Sequence, residues 1–421
     1  MSYSGLQNKL LEDSVIESFL LESVTPVRIG GYNAQPYSSK LGFDFFRTSS
    51  VKGVWRWWAR ALISGALIEL GKSPPPKISD LNRQFLDPLL GSTSSASKIT
   101  IRLIPHEANM SRQEPKDLDI PRIKLITMGR QEKIFNEKYP IGLRFSIELI
   151  KRCKISDLEE RFAYSSLILA FLLGGLGSIA NRGFGKFKVK MLKHNDQKKL
   201  DELYASRNEK EISDRIKSII NKFVDYTKEY VKEENSNELN KLKSWRNERL
   251  PPYPSVATID SERHFFRCES ILILDDWKKA LQCIGDTTLK AKWKTNYRES
   301  GMPYHTWILG LPRSQGGRGY KFKDKIERRQ SSIGFSVLSH EGLYSIIMYG
   351  FLTKDWEEVT KSLQHIGRIK RNVVDLPVRF PKVEKRASSP EELVNLAFEA
   401  AWEYAKMVIL KKKYTWGRWH M

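Results

Sequence analysis

Apolar positions recur along this chain with two periods, and the places where the period changes mark its elements. The segment SFLLESVTPVRIGG mixes β-branched and apolar residues before Gly30 and Gly31, which predicts a strand closing into a loop. VKGVWRWWARALISGALIEL then carries apolar residues at helical spacing until Gly71 and the prolines at 74 to 76 stop it, with Ser49 and Ser50 expected as caps. SKITIRLIP and IGLRFSIELI alternate as half-buried strands. A second helix is expected from Asp157 to Ile179, followed by GGLGSIANRGFG and the strand FKVKML. Strand, helix, two strands, helix, strand is the ferredoxin-like order.

From about Lys193 to Arg249 the pattern changes to Lys, Glu, Asp and Asn with sparse apolar positions, which predicts polar helices inserted between domains. LPPYPSV then reads as a boundary, because proline ends helices and forces extended backbone. The second half repeats the theme more loosely. ERHFFRCESILIL is strand-like, DDWKKALQCI helical, TWILGLP and SSIGFSVL extended, DWEEVTKSLQHI helical, and a last helix covers PEELVNLAFEAAWEYAKMVIL. The expected fold class is α+β, with two ferredoxin-like (RRM-related) domains at 1–192 and 251–421 and a charged helical insertion at 193–250. FRTSSVKG and RRQSSIGF share the order Arg-x-Ser-Ser-[Val/Ile], either by common origin of the two domains or by chance.

Charge narrows the class of partner. Lys and Arg number 71 against 49 Asp and Glu, a formal charge of +22, which points to a polyanion without choosing between RNA, DNA and membrane. The longest apolar run, LILAFLLGGLGSIA, is too short and too rich in glycine to span a bilayer, and MSYSGLQNKLLEDSV lacks the leader pattern of an exported protein. Three widely spaced cysteines, Cys153, Cys268 and Cys283, build neither a disulfide framework nor a zinc cluster and suit a reducing cytoplasm.

On a helical wheel Lys52, Arg56 and Arg60 fall in one stripe, opposite Val54, Trp55, Trp58, Ala61 and Leu62, with Trp57 between. Trp55 and Trp58 read as core. The cations, preceded by Arg47, Ser49 and Ser50, suit an RNA backbone or a partner subunit, or else a solvated face or partners for carboxylates. The glycine cluster Gly174, Gly175, Gly177, Gly183 and Gly185, with Asn181, Arg182 and Lys186, reads as a cradle for RNA backbone, or as a helix cap with tight packing. RGFGKF partly matches the RNP1 signature, but Lys186 stands where an aromatic belongs. LGLPRSQGGRGYKFKDKIERRQSS reads as a flexible loop whose Arg313, Arg318, Arg328 and Arg329 contact a polyanion. The histidines are scattered singly without metal-ligand spacing, so no metal site or cofactor is expected. Asp275 and Asp276 precede a helix and read as its N-cap rather than as a two-metal site.

TPVRIGGYN, then FRTSSVKGVWRWWARAL, then GGLGSIANRGFG resemble the RAMP superfamily of CRISPR proteins, and RWWARAL after SSVKG is similar to the family of the first-numbered Cmr (type III-B) subunit. The resemblance implies paired ferredoxin-like domains, a glycine-rich loop falling on Gly174 to Gly185, and a Ser-Ser-x-x-Gly start of the helix falling on Ser49, Ser50 and Gly53. It also implies a non-catalytic subunit that holds the 3′ portion of a CRISPR guide RNA and its target RNA, with other Cmr subunits as partners and cleavage done elsewhere. A metal-independent endoribonuclease processing CRISPR precursor RNA, and a purely architectural subunit, stay open beside it.

Overall fold

The structure is a computed structural model and describes residues 14–28, 47–106, 111–113, 120, 139–193, 196–245, 250–259, 265–288, 305–311, 313–315, 318–322, 329–366, 370–380 and 384–417. Gly30, Gly31, Gly316, Gly317 and Arg328 lie outside them. The chain is α+β, and every strand pair within its sheets is antiparallel.

In the first half, strand β1 (Val15–Ser23) leads to helix α1 (Thr48–Glu69), strands β2 (Ile99–Pro105) and β3 (Arg144–Lys151), helix α2 (Asp157–Leu169) and strand β4 (Phe187–Met191). These strands form one sheet in the order β2-β3-β1-β4. Alternation sets its two faces. Phe19, Leu21, Phe145, Ile147, Phe187 and Val189 are fully buried, whereas Arg102, Arg144, Lys188 and Lys190 are exposed on the other side. Ion pairs Arg102–Glu148 and Arg144–Glu22 run across that open face, which carries no aromatic residue on these strands.

Helix α2 starts on a capping box, in which the Ser156 hydroxyl accepts from the Glu159 amide while the Glu159 carboxylate accepts from the Ser156 amide. It ends earlier than its apolar run suggests, giving way to a π-turn at Ala170–Gly174. The 193–250 segment holds helices α3 (Gln197–Ala205) and α4 (Glu209–Glu234). Its sparse apolar positions turn out to be a continuous stripe: Ile212, Ile216, Ile219, Ile220, Phe223, Val224, Tyr230 and Val231 are all buried. Helix α4 packs against α1 and α2 and also against strand β5 (Phe266–Leu274), so it belongs to the core between the two halves.

In the second half, helix α5 (Trp277–Thr288) follows β5, then short strands β6 (Arg313–Gln315) and β7 (Arg318–Phe322), the hairpin β8 (Ile333–His340) and β9 (Leu343–Phe351), helix α6 (Asp355–Ser362), strands β10 (Leu363–Ile366) and β11 (Lys370–Asn372), and the long helix α7 (Pro390–Gly417). One sheet has the order β8-β9-β5 and another β11-β10-β7-β6. Several expectations are corrected here. TWIL at 306–309 is a 3-10 turn rather than a strand, and DWEEVTKSLQHI is helix only to Ser362 before it turns into β10. Where LGLPRSQGGRGYKF is described beyond Leu311 it is strand, not flexible loop. The Arg-x-Ser-Ser echo does not carry one conformation: Thr48 to Ser50 open a helix, whereas Ser331 and Ser332 lead into strand β8. Among the described residues no helix is long and apolar enough to cross a membrane.

Candidate nucleic-acid interface

Helix α1 is buried on all sides from Ala61 to Ile68 but only half-buried nearer its N-terminus, so whatever it presents to a partner comes from its first three turns. Arg47 is its N-cap, with extended backbone, and no side chain caps the helix. Ser49 and Ser50 lie exposed within the first turn instead of capping it. The indoles anchor it as expected: Trp55 Nε1 donates to Ser166 Oγ at 2.8 Å, and Trp58 meets Tyr349 edge-on at 5.5 Å. Trp57 is half-buried, edge-on to Trp58 at 5.0 Å and to Phe351 at 5.6 Å.

The cationic stripe is only partly available. Arg56 pairs with Asp87 at 2.5 Å and donates to the Gly91 carbonyl, so it ties α1 to the short helix Asp87–Leu90 and is not free for a phosphate. Lys52 and Arg60 have no carboxylate partner among the described residues. Burial, then the neighbouring Arg56 guanidinium, lowers both pKa values, and for Lys52 Arg152 adds to the effect. Two like-charged groups crowded without counter-charge form a local positive field that an anion relieves.

The glycine-rich turn is packed from within. A Cβ on Gly185 (φ +59°) would stand 1.8 Å from the Leu176 carbonyl oxygen, and one on Gly174 would stand 2.3 Å from Trp58 Nε1. These glycines admit the chain's own backbone and indole, as do Gly175 and Gly183, which would meet Gly185 and Ile284. Lys186 is fully buried, its Nζ donating to the carbonyls of Leu173 at 2.6 Å and Gly174 at 2.7 Å. Those carbonyls end a helix and have no intrahelical donor, so the amine caps them, and burial holds its pKa well below the ordinary lysine value. Arg182 is buried too and donates to Leu309 O at 2.7 Å and Ile333 O at 3.2 Å, clamping the turn onto the second half. Lys186 and Arg182, expected to touch RNA, face inward, Lys186 onto the carbonyls that end the helix and Arg182 onto buried carbonyls of the second half.

Arg329 is likewise engaged, paired with Asp355 and lying 4.9 Å over the Trp356 ring. Arg313 and Arg318 sit on β6 and β7.

What remains converges on one cleft. Trp57 of α1, Asn181 of the glycine turn, and Gln330, Ser331, Ser332 and Trp356 of the second half line it. Ser332 Oγ is buried and has no hydrogen-bond partner among the described residues. Gly177, four residues before Asn181, is exposed, and the adjacent Ser178 accepts from Arg28 at 3.4 Å, a residue that sequence reasoning quoted in TPVRIGG without giving it a role. Ile179 adopts φ 58°, a strained conformation for a β-branched residue.

Asp275, Asp276 and His305 are committed to the fold. Asp276 Oδ1 accepts from the Lys278 amide at 2.8 Å at the start of α5, as an N-cap does, and Asp275 pairs with Lys279. His305 is buried, which lowers its pKa to about 4 and keeps it neutral, with Nδ1 accepting from Trp307 Nε1 and Nε2 donating to Pro377 O. Among the described residues no three His, Cys, Asp or Glu side chains stand together to hold a metal ion.

Residues 20–188 match the RAMP superfamily. The chain is 30% identical over 202 residues to the CRISPR system Cmr subunit Cmr1-2 of Pyrococcus furiosus, covering 42% of this chain and 95% of that one. It is 25% identical over 331 residues to Cmr1-1 of the same organism, covering 78% and 84%. A chain in a cryo-EM structure of the Type III-B Cmr-beta bound to cognate target RNA and AMPPnP shares its fold, with a TM-score of 0.57 at 14% identity over 93% of this chain and all of that one. The chain belongs to the RAMP superfamily and, within it, to the Cmr1 family of CRISPR subunits.

Proposed function

We propose that this protein is a non-catalytic, cytoplasmic RNA-binding subunit of a type III-B CRISPR (Cmr) effector complex. In it the protein holds the 3′ portion of the guide RNA and its target RNA beside other Cmr subunits. One observation carries the reading: Trp57, Asn181 and the Ser331–Ser332 pair, far apart in sequence, line one cleft on a chain of net charge +22. An aromatic edge with amide and hydroxyl groups, and Lys52 and Arg60 on the same helix as Trp57, suits a ribose-phosphate strand read by backbone and shape. Sequence is then read by base pairing between guide and target. That a Cmr-beta assembly with a similarly folded chain holds cognate target RNA supports the assignment.

Residues 1–192 and 251–421 are read as ferredoxin-like domains with 193–250 inserted. The order β2-β3-β1-β4 is that of the motif, and β8-β9-β5 repeats three of its four strands. The role is tested by cross-linking a photoreactive guide RNA within a reconstituted complex. Adducts on the α1 start and the cleft are expected, and their absence there contradicts the reading. Incubating the purified chain with labelled repeat RNA tests the nuclease alternative, which requires defined products from the protein alone.

A further inference from the structure

The Arg-x-Ser-Ser segment that leads into β8 brings two unmatched polar atoms to one cleft. Ser332 is 4% exposed; its amide donates to Ile308 O at 2.9 Å and its carbonyl accepts from the Phe351 amide at 2.8 Å, yet its Oγ has no hydrogen-bond partner among the described residues. Ser331 differs, since its hydroxyl donates to Ile333 O at 2.6 Å. Three residues before Ser332, Arg329 Nη2 pairs with Asp355 and lies 3.3 Å from Thr353 Oγ1, while Arg329 Nε is buried with no partner among the described residues. Both residues line the cleft together with Trp57 and Trp356. Folded proteins leave few buried polar atoms unpaired, because each one has given up water for nothing, so two in one cleft mark a place where a ligand supplies the missing partner.

Volume and charge limit what that ligand is. The cleft encloses about 30 Å³, room for one water-sized group and too little for a phosphate or a nucleobase. The Arg329 charge is already matched by Asp355, so the missing partner is neutral. Nε only donates, whereas a serine hydroxyl both donates and accepts, so one further hydroxyl satisfies the two together. Resting on the RNA-binding reading above, we infer that Ser332 Oγ and Arg329 Nε hold one ribose 2′-hydroxyl of the bound strand and so let the cleft tell RNA from DNA. The hydroxyl accepts from Arg329 Nε and donates to Ser332 Oγ. Trp57, half-buried in the same cleft, offers ring surface to the sugar or base that carries it.

The test is fluorescence anisotropy of the full chain with one labelled sequence prepared as RNA, as DNA and as 2′-fluoro RNA, which keeps the ribose pucker but has no hydroxyl to donate. Wild type is expected to bind RNA about fivefold more tightly than either analogue, the usual contribution of one hydrogen bond. Ser332→Ala is expected to weaken RNA binding about fivefold and to leave the affinities for DNA and 2′-fluoro RNA unchanged. Because Oγ has no partner in the free protein, the same variant should keep or raise the midpoint of thermal unfolding. A variant that keeps the wild-type preference for RNA overturns the inference, whether its stability is unchanged or, as a structural water held by Oγ would require, lowered. A wild-type protein that binds all three strands equally also overturns it, and leaves the RNA-binding reading standing. A wild-type protein that binds no RNA overturns both.

Discussion

Two basic regions share composition but not role: the cationic face of helix α1 and the glycine-rich turn at 174–186. Both combine Arg or Lys with small or aromatic residues. In the turn, Arg182 and Lys186 point inward: Lys186 donates to the carbonyls that end helix α2 and its π-turn, and Arg182 to buried carbonyls at Leu309 and Ile333. On α1 the neighbouring backbone is already hydrogen-bonded within the helix, so Lys52 and Arg60 stay at the half-buried surface, each repelled by Arg56. The difference teaches that a cation near a glycine cluster serves the fold wherever buried carbonyls lie within its reach, and is left for a ligand where they do not.

The sharpest way to break this comparison is to remove an inward donor. Arg182→Ala removes the guanidinium's two hydrogen bonds to the Leu309 and Ile333 carbonyls and leaves a hole at the junction of the halves, and is expected to lower unfolding free energy by about 3 kcal/mol. In denaturant titrations the folded fraction should keep its RNA affinity. A loss of affinity without loss of stability would place Arg182 with the outward set.

The same inward logic covers His305 and His340, both buried, with pKa values lowered from 6.5 to about 4 mainly by burial. A histidine whose folded pKa is depressed stabilises the protein fully above its unfolded pKa, and that stability is lost as pH falls through 6.5 toward 4. Each is expected to contribute on the order of 3 kcal/mol across that window. His340→Phe, measured by chemical denaturation at pH 7 and pH 4.5, should reduce the pH dependence.

The smallest effect belongs to α1. A Cβ on Gly53 meets nothing within 4 Å, and the residue is exposed in a helix, so Gly53→Ala should raise stability by roughly 0.5–1 kcal/mol. A destabilisation in thermal melts would mean that this face is packed rather than open.

Most of the first half was legible in the sequence. Alternation located β1, β2, β3 and β4, and helical spacing located α1, because each buries one face against a common core and leaves the other toward solvent. The second half was less so. β9 was missed because LYSIIMYGF is apolar almost throughout, and β10 was taken into the preceding helix because LQHI is short and follows it without a turn residue. In the candidate site, Trp57 and Asn181 were legible from their motifs, whereas the fate of Arg56, Arg182, Lys186 and Arg329 was not. Their partners, Asp87, Leu309, Leu173 and Asp355, come from segments separated by 13 to over 100 residues, and a pattern read along the chain does not register such pairings. Arg328 lies outside the described residues.

The division between inward and outward cations is tested most directly by the salt dependence of RNA affinity for Lys52→Ala/Arg60→Ala against wild type. Each phosphate contact contributes about 0.7–0.9 to the slope of log affinity against log salt concentration. The double variant should therefore bind unrelated RNA sequences about tenfold more weakly, with a slope shallower by roughly 1.5 and an unchanged unfolding midpoint. An affinity and slope identical to wild type would contradict the account.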